Sequence, residues 1–375
     1  MKITIDISQM AYLGSGVSRY TYNLVEALLN LDSPHQFLLW AGALRQRPYF
    51  RRLARTLPWS HASWRILPVP PKLAGLALNT LNLPFEWLAG ETDLIHTSDW
   101  SEPSARAPKV TTVHDLVFKK YSATLDPLIR ATQERRFLRL AANQTQIIAD
   151  SKSTKVDLLE YYHLDPGRIS VVYPGVSPRY CPESHTEIER VKIKYKLPDQ
   201  YLLSLGAQEP RKNTARLIEA IEGLDLPLVI VGKYGWGAPI IPSVKGSHLP
   251  RGKAGIPGMS ALGYVPEADL PALYSGASAF LYPSLYEGFG FPVLEAMACG
   301  TPVVTSNTSS LPEVVGQAGV LVDPLNTASI TAGIKQALSS RDKLSTLGLI
   351  QAKQFTWGKT AKQVMEVYEK ITSGH

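Results

Sequence analysis

The chain of 375 residues contains little cysteine and no long apolar run. Two cysteines, Cys181 and Cys299, are too few for a disulfide framework and form no CxxC pair, which argues against a cysteine-rich secreted scaffold and a cysteine-based zinc site. No eighteen consecutive residues are apolar, so no membrane-spanning helix is expected. The N-terminus begins with a strand-like run at residues 2–7 instead of the apolar region of a signal peptide, so no signal peptide is expected. We therefore expect a cytoplasmic protein.

Acidic residues are missing from one long basic segment. No Asp or Glu occurs between Asp32 and Glu86, and residues 1–180 hold 21 Lys and Arg against 15 Asp and Glu, which gives +6 of the net +7. In residues 45–72, arginines interleave with tryptophans, a pattern that suits contact with an anionic membrane at its inner face. The pattern equally fits a solvated basic helix followed by a core-facing segment. It contains no nucleic-acid recognition motif, and no nucleic-acid partner is expected.

Short β-like runs alternate with helical patterns along the chain. Such alternation predicts parallel sheets covered by helices, and 375 residues exceed one core of about 150, so two such domains are expected. The turn-rich residues 173–182 indicate the boundary, and a site between the domains is the default expectation. The predicted strands are 3–7, 37–40, 94–97, 110–113, 147–149 and 169–172 in the first half, and 201–205, 228–231, 261–264, 279–282, 303–305 and 320–322 in the second.

The stretch from Glu287 to Glu295 connects a predicted strand to a predicted helix. Glu287 lies in the loop and Glu295 about one turn inside the helix, so the two carboxylates reach different parts of one ligand. Between them, Gly290 lets the backbone approach a ligand closely, and helix N-termini favour phosphate. The pattern alone fits a sugar-nucleotide clamp, and it equally fits a turn acid followed by a solvated helix residue.

A glycine loop with Gly14 and Gly16 follows the first strand and precedes a helical pattern. A dinucleotide fingerprint would require a third glycine where Arg19 stands and an acid after the second strand, so NAD binding is disfavoured. The loop still suits phosphate or a close substrate approach at a helix N-terminus.

Two further polar groups follow predicted strands. Arg211 and Lys212 precede a predicted helix, where cations oppose the helix dipole unless an anion binds there. A diphosphate held by this pair and by amides near Gly290 would remove the misfit. His114 ends the strand at 110–113, on the carboxyl edge where ligands bind in open α/β sheets. A surface basic pair and a structural histidine are the alternatives.

Seven segments, taken in order, resemble the retaining glycosyltransferases of family 4, and the resemblance covers nearly the whole chain. It implies the α/β GT-B fold, in which two Rossmann-like domains with parallel sheets face each other across a cleft. The implied parts are an acceptor-binding domain at 1–178, a nucleotide-sugar-binding domain at 179–355 and a helix at 356–375 that crosses back to the first domain. The segments are the glycine loop (14–19), TVHDLVF (112–118), ADSKST (149–154), PGV (174–176), EPRKN (209–213), EGFGFPVLEAMACGTPVV (287–304) and FTW (355–357).

The resemblance also implies roles for individual residues. Glu295 is similar to the family's ribose-binding glutamate, and Glu287 to the one that contacts the donor sugar. Arg211 and Lys212 resemble the pair that binds the diphosphate, and His114 resembles the histidine near the C6 hydroxyl of the transferred sugar. The remaining donor contacts implied in this way are Gly16, Gly206, Gly232 with Lys233, Gly263 with Tyr264 and Val265, Phe289, Gly290, Phe291 and Leu294.

The activity implied by the resemblance is retaining hexosyl transfer without a metal or another cofactor. The segments resemble those of bacterial mannosyltransferases of polysaccharide and O-antigen assembly, which favours GDP-mannose as donor and a glycan or lipid-linked glycan as acceptor. A UDP-hexose is the alternative donor. A non-catalytic sugar-nucleotide-binding protein is the alternative from another class, and it would be expected to lack Glu287, His114 or the basic pair.

Overall fold

A computed structural model describes residues 1–69, 83–97, 102–122, 125–207, 209–232 and 259–373. The chain forms two compact domains. The first domain comprises Met1–Lys120, Asp126–Gly175 and Thr356–His375, and the second comprises Tyr121–Leu125 and Val176–Phe355. Each domain contains one parallel sheet with helices, so the predicted α/β class is confirmed.

The sheet of the first domain has seven described strands in the order β3-β2-β1-β4-β5-β6-β7, all paired in parallel. The strands are β1 (Lys2–Asp6), β2 (Gln36–Gly42), β3 (Ala62–Leu67), β4 (Leu94–Thr97), β5 (Lys109–Val113), β6 (Gln146–Ala149) and β7 (Ile169–Val171). The helices are α1 (Gly16–Leu29), α2 (Arg47–Thr56), α3 (Glu86–Ala89), α4 (Val117–Lys120), α5 (Pro127–Ala142) and α6 (Lys152–Tyr162), with 3-10 turns at Ser8–Ala11 and Pro166–Arg168.

The sheet of the second domain has six described strands in the order β10-β9-β8-β11-β12-β13, again parallel. The strands are β8 (Leu202–Leu205), β9 (Leu228–Val231), β10 (Met259–Gly263), β11 (Ala279–Tyr282), β12 (Val303–Ser306) and β13 (Gly319–Val322). The helices are α7 (His185–Tyr195), α8 (Thr214–Ile221), α9 (Leu270–Ser275), α10 (Phe291–Ala298), α11 (Leu311–Val315), α12 (Thr327–Ser339) and α13 (Arg341–Ala352), with 3-10 turns at Pro210–Lys212 and Glu267–Asp269.

The last helix, α14 (Trp357–Ser373), belongs to the first domain although it follows the whole second domain in sequence. Its Tyr368 is fully buried, and its Thr360 hydroxyl donates to the carbonyl of Tyr173 at 2.8 Å. His35 Nε2 lies 3.6 Å from a carboxylate oxygen of Glu369. The first domain therefore takes its packing from both ends of the chain.

The basic segment contains one strand that the sequence analysis missed. Residues 62–67 form the edge strand β3, in which half-buried and exposed positions alternate over residues 62–65 and Arg65 is exposed. The charge of this segment obscured the alternation. Trp59 is buried and stacks on Trp64 at 5.8 Å, so this pair packs inward, while residues 70–72 of the predicted segment lie outside the described residues.

None of the helices in the described ranges is both long enough and apolar enough to cross a bilayer.

Candidate active site

Three neighbouring strands of the second domain end at glycines. The Gly206 amide donates to Val231 at 2.8 Å, and the Gly232 amide donates to Gly263 at 2.8 Å. Gly232 has a φ of +149°, and a Cβ there would lie 1.8 Å from the Gly206 carbonyl oxygen, so no side chain fits. At Gly206 and Gly232, two of the predicted donor contacts, the carboxyl edge of the sheet therefore consists of closely packed backbone without side chains.

The third strand end carries Tyr264 and Val265, which were predicted to contact the base. The Tyr264 side chain is 58% exposed, whereas Val265 is buried. Only Tyr264 thus offers its side chain to a ligand, and Val265 is part of the core. Lys233, predicted beside Gly232, lies outside the described residues.

Arg211, Lys212 and Glu287, far apart in sequence, form one cluster at this edge. Arg211 Nη1 donates to one Glu287 carboxylate oxygen at 2.9 Å, and Lys212 Nζ donates to the other at 2.6 Å. Arg211 Nε donates to Glu209 at 2.8 Å. The anion that the basic pair meets in this structure is therefore the Glu287 carboxylate, which the sequence analysis had assigned to a sugar.

Burial strengthens the interactions in this cluster. It raises the pKa of the Glu287 carboxyl, but the charges of Lys212 and Arg211 outweigh burial and bring that pKa down to about 2. Burial and the charge of Arg211 together lower the pKa of Lys212. With Glu209 included, the cluster contains two cations and two carboxylates, so its charges balance. A diphosphate that binds to Arg211 and Lys212 would therefore have to displace one of the carboxylates.

Backbone geometry brings the cluster together. Arg211 and Lys212 lie in the 3-10 turn at Pro210–Lys212, and the Arg211 carbonyl accepts from the amide of Leu285 at 2.7 Å. The stem of Lys212 passes over Gly206, where a Cβ would lie 3.4 Å from it. That distance is an ordinary van der Waals contact, so it is the φ of +153° at Gly206 that favours glycine at the end of β8.

Helix α10 begins directly after the loop that carries Glu287. Its N-cap, Gly290, has a φ of +111°, and a Cβ there would lie 2.8 Å from a side-chain atom of Leu311. Phe289 and Leu294 are buried, so their side chains form part of the core and only backbone atoms remain as candidate contacts. Phe291, the first residue of the helix, is half-buried and packs edge-to-face on Phe289.

Glu295 lies inside α10 and is 3% exposed. One of its carboxylate oxygens accepts a hydrogen bond from the Tyr274 hydroxyl at 2.9 Å. The alternative that Glu295 is a solvated helix residue is therefore wrong. A buried carboxylate held by a neutral hydroxyl is a strong acceptor, which suits the recognition of a hydroxyl group.

Several residues that shape this site were missed by the sequence analysis. Ser309 accepts from the amide of Glu287 at 3.1 Å, and the Ser310 hydroxyl lies within 2.9 Å of the carbonyls of Glu287 and Phe289. Asn213, with a φ of +60°, donates to the carbonyls of Pro283 and Pro324. Serine and asparagine next to turns carry no distinctive signal in sequence, and only the fold shows what they contact.

In the first domain, Gly16 is the first residue of α1, whose N-cap Ser15 accepts from the amide of Ser18 at 3.1 Å. Gly16 is exposed, and a Cβ there would have no heavy atom within 4 Å. Packing within the first domain therefore gives no reason for glycine at this position.

His114 is held by a residue of α1 and by a residue that follows β6. Its Nδ1 donates to Asp150 at 2.6 Å, and its ring packs edge-to-face on Tyr20 of α1 at 4.7 Å. Asp150 follows β6, the neighbour of β5. Because the carboxyl ends of parallel neighbours meet at one edge, this partner could have been found from the sequence.

A buried polar chain runs beside His114. The Tyr20 hydroxyl lies 3.4 Å from the Thr112 hydroxyl, which lies 2.9 Å from His96 Nε2, and His96 Nδ1 lies 2.6 Å from the Tyr368 hydroxyl of α14. Burial, followed by the charge of His114, lowers the pKa of His96 to about 3. His96 is therefore neutral near pH 7 and links α14 to strand β5, which His114 follows.

No three His, Cys, Asp or Glu side chains converge as metal ligands would within the described ranges.

Family models match both halves of the chain. The model described as glycosyl transferases group 1 matches residues 185–370, and the model described as glycosyltransferase family 4 matches residues 14–180.

Curated relatives share this family and differ in their named activities. The chain is 32% identical to the O-antigen chain mannosyltransferase B of Escherichia coli over 99% of this chain and 100% of that protein. It is 30% identical to the D-inositol 3-phosphate glycosyltransferase of Salinispora tropica over 82% of this chain and 70% of that protein.

Among solved structures, sucrose-phosphate synthase from Thermosynechococcus elongatus superposes with a TM-score of 0.74 at 19% identity, covering 100% of both chains. The likeness supports the predicted GT-B architecture. With two matching family models and a full-length relative at 32% identity, the chain belongs to the family 4 and group 1 glycosyltransferases.

Proposed function

We propose that this glycosyltransferase moves mannose from GDP-mannose to a glycan or lipid-linked glycan acceptor with retention of configuration. The full-length similarity to an O-antigen chain mannosyltransferase supports this choice of donor and acceptor. The observation that carries the site assignment is the cluster of Arg211, Lys212 and Glu287 at the carboxyl edge of the second domain.

In this proposal the diphosphate of the donor replaces the Glu287 carboxylate on Arg211 and Lys212. Glu287, released from the cations, then accepts hydrogen bonds from hydroxyls of the sugar. Both changes follow from one event, because a carboxylate and a diphosphate compete for the same N–H donors. The exchange reconciles the observed ion pair with a role for Glu287 in sugar binding.

The remaining donor contacts are proposed on the same basis. Glu295 binds the ribose, Tyr264 and the backbone around Gly232 meet the base, and the amides at the start of α10 face the phosphates. In the first domain, His114 binds the transferred sugar and Gly16 lets a phosphate approach the chain.

The proposed chemistry is attack by the acceptor hydroxyl on the face from which the diphosphate leaves. The leaving oxygen takes up the proton of the acceptor, and Arg211 and Lys212 stabilise the negative charge that develops. Removing one such donor typically lowers the rate by about 10²–10³-fold. No metal takes part, so chelation with EDTA is expected to leave transfer unchanged.

The similarity to D-inositol 3-phosphate glycosyltransferases favours a phosphorylated polyol as a second candidate acceptor. We combine it with the alternative donor of the sequence analysis, a UDP-hexose. A thermal-shift screen with GDP-mannose, UDP-glucose, UDP-galactose and UDP-N-acetylglucosamine separates the two donors, since a ligand at 100 times its Kd stabilises a protein by about 2.7 kcal/mol.

The hit from this screen is then tested in a transfer assay with Glu295→Ala and with the Arg211→Ala, Lys212→Ala pair. The first change is expected to raise the KM for the donor, and the second to lower kcat. Binding without transfer or donor hydrolysis would favour the non-catalytic alternative, and unchanged kinetics in both variants would refute the site assignment.

A further inference from the structure

Lys212 has a second partner besides Glu287, and this partner is neutral. Its Nζ donates to the hydroxyl of Tyr282 at 2.5 Å and lies 4.8 Å from the centroid of the Tyr282 ring. Tyr282 is the last residue of β11 and is 3% exposed. The ammonium group therefore lies between a fixed strand residue on one side and a loop carboxylate on the other.

Tyr282 is held firmly in place. Its ring stacks on Phe280, two residues earlier on the same face of β11, with centroids 5.7 Å apart. Its carbonyl accepts a hydrogen bond from the Thr305 hydroxyl of the neighbouring strand β12 at 2.9 Å. These two contacts come from the sheet and fix the ring and the backbone of Tyr282, while its hydroxyl also hydrogen-bonds to Glu287.

The two partners of Lys212 respond differently to an incoming anion. Glu287 carries a negative charge and competes with the anion, whereas the Tyr282 hydroxyl remains neutral. Burial and the Glu287 charge raise the pKa of Tyr282 well above its ordinary value. Once Glu287 has left, the Tyr282 hydroxyl is the partner that keeps the buried ammonium of Lys212 charged and in place.

The geometry points to Tyr282 as a positioning residue that anchors Lys212 while Glu287 is exchanged for the diphosphate of the donor. This inference rests on the proposed function of the cluster and adds a residue that the sequence analysis did not single out. Tyr282 touches Lys212 and not the reacting atoms, so it acts through the lysine.

The inference predicts a shift in pH dependence. The charged groups around Lys212 are Arg211 and Glu209 on its own segment and Glu287 from the loop, with the phenol of Tyr282 from β11. Only Tyr282→Phe removes a hydrogen bond to the ammonium without changing a charge. The Tyr282 hydroxyl accepts a hydrogen bond from the charged ammonium group, so its removal lowers the pKa of Lys212. Anion binding, which requires the charged lysine, is then lost at a lower pH.

The test uses inorganic pyrophosphate as the probe and calorimetry on the full chain from pH 7 to pH 10. Tyr282→Phe is expected to move the alkaline loss of pyrophosphate binding down by roughly one pH unit, the equivalent of one ordinary hydrogen bond. The matched control is Tyr201→Phe, directly before β8, since the Tyr201 hydroxyl is also buried and donates to the carbonyl of Leu273 at 2.8 Å. It is expected to leave the pH dependence unchanged.

A double-mutant cycle tests whether Tyr282 acts through Lys212. Lys212→Met alone should weaken pyrophosphate binding, and adding Tyr282→Phe to it should change binding by less than about twofold, because the partner is already gone. If Tyr282→Phe does not fold, 4-fluorophenylalanine at position 282 fills the space of the hydroxyl with a poor acceptor that cannot ionise, which should shift the curve in the same direction. A Tyr282→Phe curve that coincides with wild type, or an equal shift in Tyr201→Phe, would overturn the inference.

Turnover of the nucleotide sugar distinguishes this inference from the proposed function. Pyrophosphate binding by wild type with no transfer from any nucleotide sugar would refute the proposed function and leave the anchoring role of Tyr282 supported by its shift. An active wild type with an unshifted Tyr282→Phe protein would refute the anchor alone. Wild type that neither binds pyrophosphate nor transfers a sugar would refute both, and an active wild type that does not bind pyrophosphate would refute the anchor alone.

Discussion

At the scale of single residues, glycines at the strand and helix ends differ in what requires them. Gly232 and Gly290 are required by packing inside the second domain, because each has a positive φ and a close neighbour where a Cβ would stand. Gly16 has neither constraint. A functional reason for glycine at position 16 can therefore be tested without disturbing the fold.

We expect Gly16→Ala to leave the melting temperature unchanged or slightly raised, because alanine is favoured over glycine in a helix by up to about 1 kcal/mol. If a phosphate approaches this backbone, the added methyl group should raise the KM for the donor by about tenfold or more, as one poorly satisfied hydrogen bond would. Gly358→Ala is the matched control, since Gly358 is also exposed, lies in the first turn of a helix and has open space around it. Equal kinetics in both variants would remove Gly16 from the donor site.

At the scale of elements, the sequence predicted most strands of both sheets, because parallel strands buried on both faces appear as short apolar runs. β4, β9 and β11 have the predicted bounds, and most others differ by one or two residues at an end. The edge strand β3 was missed, since its exposed positions carry polar and charged residues. The pairing of Lys212 with Tyr282 and Glu287 was also out of reach, because it depends on how a 3-10 turn, a strand end and a loop meet in space.

The turn before α9 shows how one buried carboxylate joins two elements. Asp269 is 3% exposed and accepts from Lys194 and Tyr195 at 2.6 Å and from Arg190 at 3.0 Å. Burial raises the pKa of Asp269, but bonds from Lys194, Tyr195 and Arg190 outweigh burial and lower it to about 2. Since the folded pKa is below the unfolded value, this stabilisation is present above about pH 4 and is lost as the pH falls toward 2.

We expect Asp269→Asn to lower the free energy of unfolding of the second domain by about 1 kcal/mol at pH 7, because its cationic partners are nearly half exposed and screened by solvent. Urea titrations at pH 7 and near pH 2.5 measure the difference between wild type and variant. The difference should shrink at the lower pH. A difference that stays constant with pH would show that charge on Asp269 is not its origin.

Among the described helices of the first domain, α2 carries the largest excess of basic residues. Arg51, Arg52 and Arg55 are exposed and Phe50 is buried, and the helix contains no acid. This arrangement fits the solvated basic helix that the sequence allowed. It also leaves three cations available to an anionic surface, so we keep membrane contact as a proposal.

If α2 rests on anionic lipid, replacing Arg51, Arg52 and Arg55 by alanine should weaken vesicle binding by about 100-fold, since each arginine contributes about 1 kcal/mol. Flotation with phosphatidylcholine vesicles, with and without phosphatidylglycerol, at low and high salt measures the effect. The charge-matched control replaces Arg341, Lys343 and Lys353, three exposed basic residues of the second domain. Equal losses in the two variants would indicate unspecific attraction by net charge.

At the scale of the whole molecule, the groups proposed to bind the nucleotide, the diphosphate and much of the sugar lie in residues 176–355 of the second domain. These residues contain all six described strands of its sheet, while the first domain needs segments from both ends of the chain. The two domains should therefore differ in their capacity to fold alone.

We expect residues 176–355, expressed alone, to fold and to bind GDP or UDP within about tenfold of the full chain, with no transfer activity. Residues 1–175 should fail to fold, because without α14 the buried His96 loses its Tyr368 partner and the apolar face under the helix is exposed. Circular dichroism and calorimetry on both fragments test this. Adding a peptide of residues 356–373 to the fragment of residues 1–175 should restore its structure if the missing α14 is the reason that it does not fold.

The place of α14 also sets an order of events during synthesis. The second domain has all of its described strands and helices once Phe355 has been made, whereas the first domain waits for the last eighteen described residues, although its own sheet was made first. Translation at about 5–20 residues per second leaves the first domain without its closing helix for roughly 10–40 seconds after Gly175. Over that interval the exposed apolar face of the first domain would be a target for chaperones. The second domain, although it is synthesised later, therefore completes its folding before the first.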